Sequence, residues 1–409
     1  MKDTNTKKKG QSSFPQRPVA QLLGSNANNV PNHQLLSGPI HAVSYSASPS
    51  SYILTGSADR CIRLYNPNTT TTTSNTAEPS SYITSSSSSP AASQKGAIPP
   101  SGRLIQSYTG HGYQVLSLSI ASDNATFASS GGDRAVYLWD VTTAQTLRRF
   151  GASANGGHSG RVNYVTFGGV GDSLVISGGI DTSVRIWDVK AGNNNKPIQV
   201  LDDAKDAISS VVVTGEEIIA GSVDGRVRSY DLRMGRCVTD VFANSVTSLC
   251  LARDGESLLV GSLESKLRLM DRRDGTCLRV FGHEGWRNEE FRVQSCFGGG
   301  ERFVVAGGEE ESLEEYDDDD DDDDDDDGGG GGKVWAWDLV TGQLVAKIPV
   351  PGRASTRKTA GRGGGIYGAG SEERKKRTTV ISSIAWKEDG YGNQFCVGGT
   401  SGVVTVYGE

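Results

Sequence analysis

Apolar and polar residues alternate along most of the chain in short runs. Clear examples are 145–150, 162–167, 174–177 and 183–187, each separated from the next by small or polar residues. Alternation with a period of two places successive side chains on opposite faces of a β-strand. No segment shows a sustained apolar period of 3.6 residues. The pattern therefore predicts an all-β protein with negligible helix.

The strand pattern repeats along the chain. A turn of small residues with an acid, followed by an apolar strand that closes on aromatic-Asp, occurs at 129–140 and at 177–188. Fainter copies end at Asp231, Asp271 and Asp338. The first four closing aspartates are 48, 43 and 40 residues apart, which is the period of a four-stranded propeller blade. One copy cannot bury its own apolar face, so the repeats predict a ring of packed blades.

This repeat resembles the WD40 repeat, and seven units can be counted. The first unit is centred on 53–59, and the second to fifth close at Asp140, Asp188, Asp231 and Asp271. The sixth spans 282–338 and the seventh 381–407. The seventh unit stops one strand short, and we expect 19–23 or 33–36 to supply the missing outer strand. The prediction is a seven-bladed WD40 β-propeller over 18–409, closed by an N-terminal strand and preceded by a disordered tail over 1–17. We expect this strand to close the ring and tie the two ends of the chain together, and we expect a monomeric propeller.

Three insertions interrupt the repeats. Residues 68–102 are rich in Ser, Thr and Pro, 309–332 are acidic, and 351–379 are Gly-rich and basic. These compositions predict disorder. The acidic insertion replaces a turn between the second and third strands, and the basic one joins blades six and seven. Both connections open on one face of a propeller, so the two insertions are expected to be neighbours there.

The charge is divided unevenly along the chain. The net charge is −7, but residues 309–327 hold 16 of the 48 acidic residues, which leaves 32 acidic against 41 basic residues elsewhere, a charge of +9. The six cysteines are scattered, the N-terminus has no apolar signal core, and no apolar run reaches the roughly 20 residues of a membrane span. We therefore expect reduced, buried thiols in a soluble intracellular protein that does not enter membranes.

Blades two and three carry Ser, His, Asp and Trp at matching positions. In WD40 folds the Asp accepts a hydrogen bond from the His, the His meets the Ser hydroxyl, and the indole N–H donates to that hydroxyl. Each buried polar group then has a partner, so this set predicts structural bracing rather than hydrolase chemistry. The predicted network residues, including the turn acids of blades one and four, are His111, Ser129, Asp133, Trp139, His158, Ser177, Asp181, Trp187, Asp59 and Asp224.

No cofactor, metal site or enzyme activity is predicted. The glycine-rich segments 328–333 and 363–368 match phosphate-loop patterns by letter but lack the flanking strand and helix. Paired Cys-x-x-Cys motifs are absent, and the five histidines are dispersed. The run 374–377, with 7–9 as a second candidate, fits either a nuclear import signal or solvated linker charge. It has no interleaved aromatics, so direct RNA contact is not predicted.

Four residues are candidates for partner binding at the mouth of the propeller. Tyr113, Arg161, Trp286 and Arg292 lie at or near the starts of first strands. Aromatic and arginine side chains commonly anchor interfaces. For Trp286 the alternative is packing inside the loop between two blades.

Longer segments resemble the mitogen-activated protein kinase organizer family. Residues 201–206 and 220–235 (AGSVDGRVRSYDLRMG) resemble its fourth blade, 108–116 its second, and 282–292 its sixth. The resemblance covers all seven blades, although the three insertions are not part of the family core. It implies a non-catalytic scaffold of nucleus and cytoplasm that assembles kinase-cascade components and associates with spliceosomal proteins during pre-mRNA splicing.

An alternative function is a substrate adaptor that recognises acidic or phosphorylated peptides, as for a ubiquitin ligase. The basic body and the inward arginines motivate it. Residues 1–39 show no helical apolar pattern that could serve as an F-box.

Overall fold

The computed structural model describes residues 14–22, 38–68, 100–151, 156–192, 195–312, 330–351, 377–387 and 393–408. Within these ranges the chain forms 29 β-strands and no helix, which confirms the all-β prediction. The tight turns between second and third strands have a common geometry. The residue after the turn acid has a positive φ of 70° at Arg60, 60° at Arg134, 63° at Thr182 and 74° at Gly225. A left-handed residue at this point lets a short loop reverse the strand without splaying the hairpin.

The strands form seven antiparallel sheets, and these are the seven predicted blades. The first strand of the chain, β1 (Arg17–Leu22), belongs to the last blade. The strands of blades one to three follow the chain: β2 (Ile40–Tyr45), β3 (Ile53–Ser57), β4 (Cys61–Asn66) and β5 (Arg103–Thr109); β6 (Val115–Ile120), β7 (Thr126–Gly131), β8 (Val136–Asp140) and β9 (Thr146–Phe150); β10 (Val162–Gly168), β11 (Leu174–Gly179), β12 (Val184–Asp188) and β13 (Gln199–Leu201).

Blades four to seven continue the same order. Their strands are β14 (Ile208–Thr214), β15 (Glu217–Ser222), β16 (Arg226–Asp231) and β17 (Arg236–Val241); β18 (Val246–Leu251), β19 (Ser257–Ser262), β20 (Lys266–Asp271) and β21 (Cys277–Phe281); β22 (Ser295–Gly298), β23 (Phe303–Ala306), β24 (Glu309–Ser312), β25 (Gly330–Asp338) and β26 (Leu344–Pro351); β27 (Arg377–Trp386), β28 (Phe395–Gly399) and β29 (Val404–Gly408). Strand β24 leaves blade six and joins blade seven.

The ring is closed by β1, which pairs antiparallel with β29 from Arg17↔Gly408 to Leu22↔Val404. This confirms the predicted N-terminal closing strand and selects the first of its two candidate segments; the other, 33–36, lies outside the described residues. The predicted boundary at residue 18 falls too late. Phe14 is buried, with its ring 5.1 Å from that of Phe303, so residues 14–17 belong to the propeller rather than to the tail. The physical reason is burial of apolar surface, because the Phe14 ring packs into the core between blades six and seven.

The predicted insertions are shorter than their composition suggested. Strand β24 pairs antiparallel with β27 from Glu309↔Val380 to Ser312↔Arg377, and β25 begins at Gly330, opposite Pro351. Residues 309–312, 330–332 and 377–379 therefore lie in strands, because backbone pairing tolerates acidic and glycine-rich sequences alike. The residues flanking the acidic and basic insertions lie beside each other, as expected. The segments 313–329 and 352–376 lie outside the described residues.

The Ser/Thr-rich insertion is also shortened at its end. The Gln21 N–H donates to the Pro100 carbonyl at 3.0 Å, and the Gly102 N–H donates to the Gln21 carbonyl at 2.9 Å. Residues 100–102 are therefore tied to β1. The segment 69–99 lies outside the described residues.

Apolar packing between neighbouring blades forms the core. Leu54 and Ile62 of blade one, for example, share a buried cluster with Val115 and Phe127 of blade two. A Cβ on Gly56 would lie 2.8 Å from a methyl group of Val115, so this close approach of two blades requires glycine. Each blade thus buries the face that it could not bury alone, which is the physical reason for the ring.

Candidate functional site

The upper face of the propeller carries the loops that enter each first strand and the turns between second and third strands. In blade two these meet directly: the Gly112 N–H donates to Asp133 Oδ1 at 2.9 Å. His111 contacts Asp133 through Nδ1 and lies 2.7 Å from Ser129 Oγ through Nε2. The Trp139 indole N–H donates to the same hydroxyl at 2.8 Å. All four network side chains named for this blade are therefore brought together.

Blade three repeats this arrangement. His158 Nδ1 lies 2.8 Å from Asp181 Oδ1, His158 Nε2 lies 2.8 Å from Ser177 Oγ, and Trp187 Nε1 donates to that hydroxyl at 2.8 Å. Burial lowers the pKa of His158 below its ordinary value, and the charge of Asp181 offsets only part of this effect. Burial opposes ionisation of Asp181, but hydrogen bonds led by the one from His158 hold the pKa of that carboxyl well below its usual range. The pair is a neutral imidazole on a carboxylate.

Blades one and four brace the turn acid with an arginine instead of a histidine. Arg63 donates to Asp59 Oδ2 at 2.6 Å, and Arg228 donates to Asp224 Oδ2 at 2.7 Å. Arg228 also donates to Ser222 Oγ at 2.9 Å, so it takes both contacts that the histidine makes in blades two and three. Burial works against ionisation of Asp224, yet the hydrogen bond from Arg228 and the further bonds to it lower its pKa to about 2.

The arginine brace also occurs in blade five, where Arg268 pairs with Glu264. The sequence analysis named turn acids in blades one and four but missed the arginines. The sequence feature that marks them is an arginine four residues after the turn acid. The alternation of apolar and polar residues does not distinguish this position from other strand positions. In blade three Arg185 occupies the same position and lies 3.3 Å from Asp181, so that acid has both partners.

Blade six departs from both patterns. The strand register places Ala306 where blade two has Ser129, and the buried Trp337 indole nitrogen has no hydrogen-bond partner among the described residues. Glu309 takes over the bracing: its carboxylate accepts from the backbone N–H groups of 289–291, the shortest at 2.8 Å from Phe291. The sequence analysis missed Glu309, because the acidic composition of 309–332 assigned this residue to the insertion.

Trp286 was wrongly predicted as a partner-binding residue. Its side chain is 1% exposed, and its indole N–H donates to the Gly307 carbonyl at 2.7 Å. Its ring packs edge-on to Trp337 with centroids 5.2 Å apart. The alternative considered from the sequence, packing within the loop between two blades, describes its position. A large aromatic beside another blade gains more from burial there than at a solvated rim.

Of the other three partner-binding candidates, one is exposed to solvent and two line the central cavity of the propeller. Tyr113 is 64% exposed on the loop that enters blade two. Arg161 and Arg292 line a central cavity of ≈ 540 Å³ into which all seven blades project residues. Besides the two arginines, its lining includes His41, Glu290 and the apolar side chains of Leu116, Val223 and Leu263. The cavity lies at the starts of the first strands, on the upper face.

Arg292 is fixed within this cavity by neutral groups. Its guanidinium donates to the Asn163 carbonyl at 2.7 Å and lies 5.4 Å from the Tyr164 ring centroid. Burial lowers the pKa of Arg292, and the positive charge of Arg161 lowers it further. Among the described residues, neither arginine forms an ion pair with a carboxylate. Among the residues that the structure describes, no carboxylate therefore neutralises the positive charge in the cavity.

Within the described ranges, no group of three or more His, Cys, Asp or Glu side chains is placed to hold a metal ion. No helix in those ranges is long and apolar enough to span a membrane.

The fold and these braces define a class of protein, a seven-bladed β-propeller with WD40 repeats. Residues 26–66, 102–140 and 151–188 match the family model described as WD domain, G-beta repeat. The braces with histidine lie in two of these three segments.

Individual relatives are similar over different lengths. The chain is 26% identical to the WD repeat domain-containing protein 83 homolog of Dictyostelium discoideum over 288 residues, covering 64% of this chain and 76% of that protein. It is 35% identical to WD repeat domain-containing protein 83 of Rattus norvegicus over 156 residues, or 38% of this chain and 42% of that one. A guanine nucleotide-binding protein subunit beta of Zea mays is 33% identical over 147 residues, or 35% and 37%. The chain thus spans less than half of the last two proteins.

Proposed function

We propose that this protein is a non-catalytic scaffold that assembles multiprotein complexes through the upper face of its propeller. One observation carries the proposal. The histidines, serines and turn acids that could suggest hydrolytic chemistry in blades two and three are buried and hydrogen-bonded to one another. They hold the upper loops in place around a central cavity and offer no free nucleophile and base. A rigid, shaped face without a catalytic group suits binding of other proteins.

The finer proposal is a role in pre-mRNA splicing, with spliceosomal proteins as partners, and in assembling kinase-cascade components. It is supported by the likeness of 201–206 and 220–235 to the mitogen-activated protein kinase organizer family, and by the similarity to proteins named WD repeat domain-containing protein 83. This role requires the protein to be in both nucleus and cytoplasm.

Affinity purification tests the proposal. The tagged full chain would be captured separately from nuclear and cytoplasmic extracts, and the bound proteins identified by mass spectrometry. Recovery of spliceosomal proteins from the nuclear extract, and of kinases from the cytoplasmic one, is expected. If the nuclear capture contains no spliceosomal protein above the level of an untagged control, the splicing role is wrong.

A second candidate is a substrate adaptor for acidic or phosphorylated peptides. The two arginines of the central cavity have no carboxylate partner in the described part of the chain and therefore favour acidic ligands, although they do not point to a ligase. The same captures separate the two functions: an adaptor would co-purify with ubiquitin-ligase subunits, whereas a splicing scaffold would not.

A further inference from the structure

The central cavity is lined by both apolar and positively charged side chains. Leu116, Val223 and Leu263 contribute apolar surface, whereas Arg161 and Arg292 contribute positive charge. An apolar wall around a small number of placed polar groups is the usual composition of a specific binding site. A polyanion would require many cations and gain little from the apolar wall. The composition therefore suits one anionic group carried on a partly apolar chain.

Three groups that can carry positive charge face this cavity. Arg161 is exposed at the upper end, Arg292 is partly buried, and His41 lines the wall beside them. His41 Nε2 is buried and has no hydrogen-bond partner among the described residues. Glu290 is the acidic residue of the lining; it is exposed and forms no ion pair with either arginine. No carboxylate in the described ranges therefore occupies the two arginines, and their charge can attract an anionic ligand.

The geometry of Arg292 prepares it to hold an anion. The bond to the Asn163 carbonyl and the Tyr164 ring fix the guanidinium plane, yet only NH1 is used in a hydrogen bond among the described residues. An arginine has five N–H donors, so most of its donors are free for an oxygen ligand. A group held in its binding orientation before the ligand arrives loses less conformational freedom on binding.

We propose that the central cavity binds a single acidic side chain, a carboxylate or a phosphate monoester, from an extended segment of a partner protein. Arg161 and Arg292 are its anion-binding residues, and the apolar lining receives the residues that flank the acid. This inference rests on the proposed scaffold function and names the chemistry of the partner at that face.

Peptide pools with one fixed central residue test the proposal. Four fluorescent 9-residue pools would carry central Glu, phosphoserine, Gln or Lys, with mixed flanking positions that exclude Asp, Glu and Cys, and their binding would be measured by anisotropy. The Glu or the phosphoserine pool should bind at least about tenfold more tightly than the Gln and Lys pools, since charge-assisted bonds to Arg are strong. The comparison between Glu and phosphoserine decides which anion is preferred.

Variants locate the site. Arg161→Gln should weaken binding of the preferred pool by about tenfold or more, and Arg292→Gln by at least as much. Arg233→Gln is the matched control, because Arg233 is exposed in the turn between the third and fourth strands of blade four, on the opposite face. It should leave binding unchanged. Arg161 is exposed, so its variant tests the site even if Arg292→Gln fails to fold by thermal unfolding.

Two results would overturn the proposal. One is equal binding of the Glu, phosphoserine and Gln pools. The other is full binding by Arg161→Gln. A single-stranded RNA probe that binds in an Arg161-dependent way, without discrimination among the peptide pools, would replace it with nucleic-acid binding.

Capture from extract distinguishes a wrong binding site from a wrong scaffold function. If the wild-type chain and Arg161→Gln capture the same partners from extract, the scaffold stands and the cavity is not its acidic-peptide site. If the peptides bind as expected but the wild-type chain captures no partner, the scaffold function is wrong.

Discussion

Single hydroxyl groups hold the upper loops of blades two and three. Ser129 and Ser177 each receive an indole N–H and contact an imidazole nitrogen while fully buried. A buried donor left without an acceptor costs more than the net value of the bond it made. The contribution of these serines is therefore large for so small a side chain.

Adjacent serines allow a matched test of that contribution. Ser129→Ala removes the acceptor of Trp139 and the partner of His111, and should lower the free energy of unfolding by about 1–3 kcal/mol. Ser130→Ala is the control, because the Ser130 hydroxyl is buried with no partner among the described residues. It should be neutral or slightly stabilising. Urea unfolding measures both; equal losses in the two variants would contradict the role assigned to Ser129.

The His158–Asp181 pair predicts how stability depends on pH. Burial lowers the pKa of His158 in the folded state below its ordinary 6.5, so the unfolded chain takes up a proton first as the pH falls. The free energy of unfolding should therefore decrease as the pH falls below about 6.5. Asp181 adds no pH dependence in that range. Its pKa is lowered in the folded state, so its stabilising effect is lost only as the pH falls below its ordinary pKa of 3.8.

Urea unfolding at pH 7.5, 6.5 and 5.5 measures this dependence. His158→Asn removes the titrating group, and its unfolding free energy should fall less over the same range than that of the wild type. Parallel curves for the two proteins would show that His158 does not titrate as the burial argument requires.

At the scale of elements, the loops of the upper face are braced in three ways. A histidine hydrogen-bonds the acid in blade three, an arginine pairs with it in blade four, and backbone N–H groups donate to Glu309 in blade six. The histidine brace reaches from the preceding loop, whereas Arg228 reaches from within its own blade. Blades with arginine alone therefore have a weaker tie between loop and turn, although Asp224 still accepts the Lys205 N–H at 3.1 Å.

The segment before β1 makes its own prediction. Phe14 packs between Phe303 and Phe395, with ring centroids 5.1 and 5.6 Å away. Phe14→Ala should lower the free energy of unfolding by about 3–5 kcal/mol, the usual cost of emptying a buried aromatic site. Phe291→Ala is the control, because Phe291 is 42% exposed, and it should cost much less. Equal and small losses would place residue 14 outside the core.

For the whole molecule, stability depends on closure of the ring. Strand β1 covers the edge of β29 and ties the two ends of the chain together. An uncovered strand edge presents unpaired N–H and C=O groups that can pair with another chain.

Two truncations test closure. Deleting residues 1–22 removes β1 and should both destabilise the propeller and cause self-association, measured by light scattering at increasing concentration. Deleting residues 1–13 keeps Phe14 and β1, and should leave the chain as a monomer of unchanged stability. A chain lacking 1–22 that stays monomeric and stable would show that β1 is not needed to protect β29.

Much of this structure could be predicted from the sequence, because the same blade pattern occurs several times along the chain. Alternation, the blade period and the turn acids determined the strands, the number of blades and the braces of blades two and three. These features depend on residues close in sequence, within one hairpin or one loop. The same local reasoning named Arg161 and Arg292 from their places at first-strand starts.

What local pattern could not decide is which groups meet across the ring. Only the tertiary structure buried Trp286 against Trp337, brought Phe14 into the core, and paired β24 with β27 inside a segment whose composition indicated disorder. It also placed the two arginines of blades three and six in one cavity, where no described carboxylate forms an ion pair with either of them. The physical reason is that burial and charge compensation depend on contacts between residues far apart in the sequence, which no periodicity along the chain records.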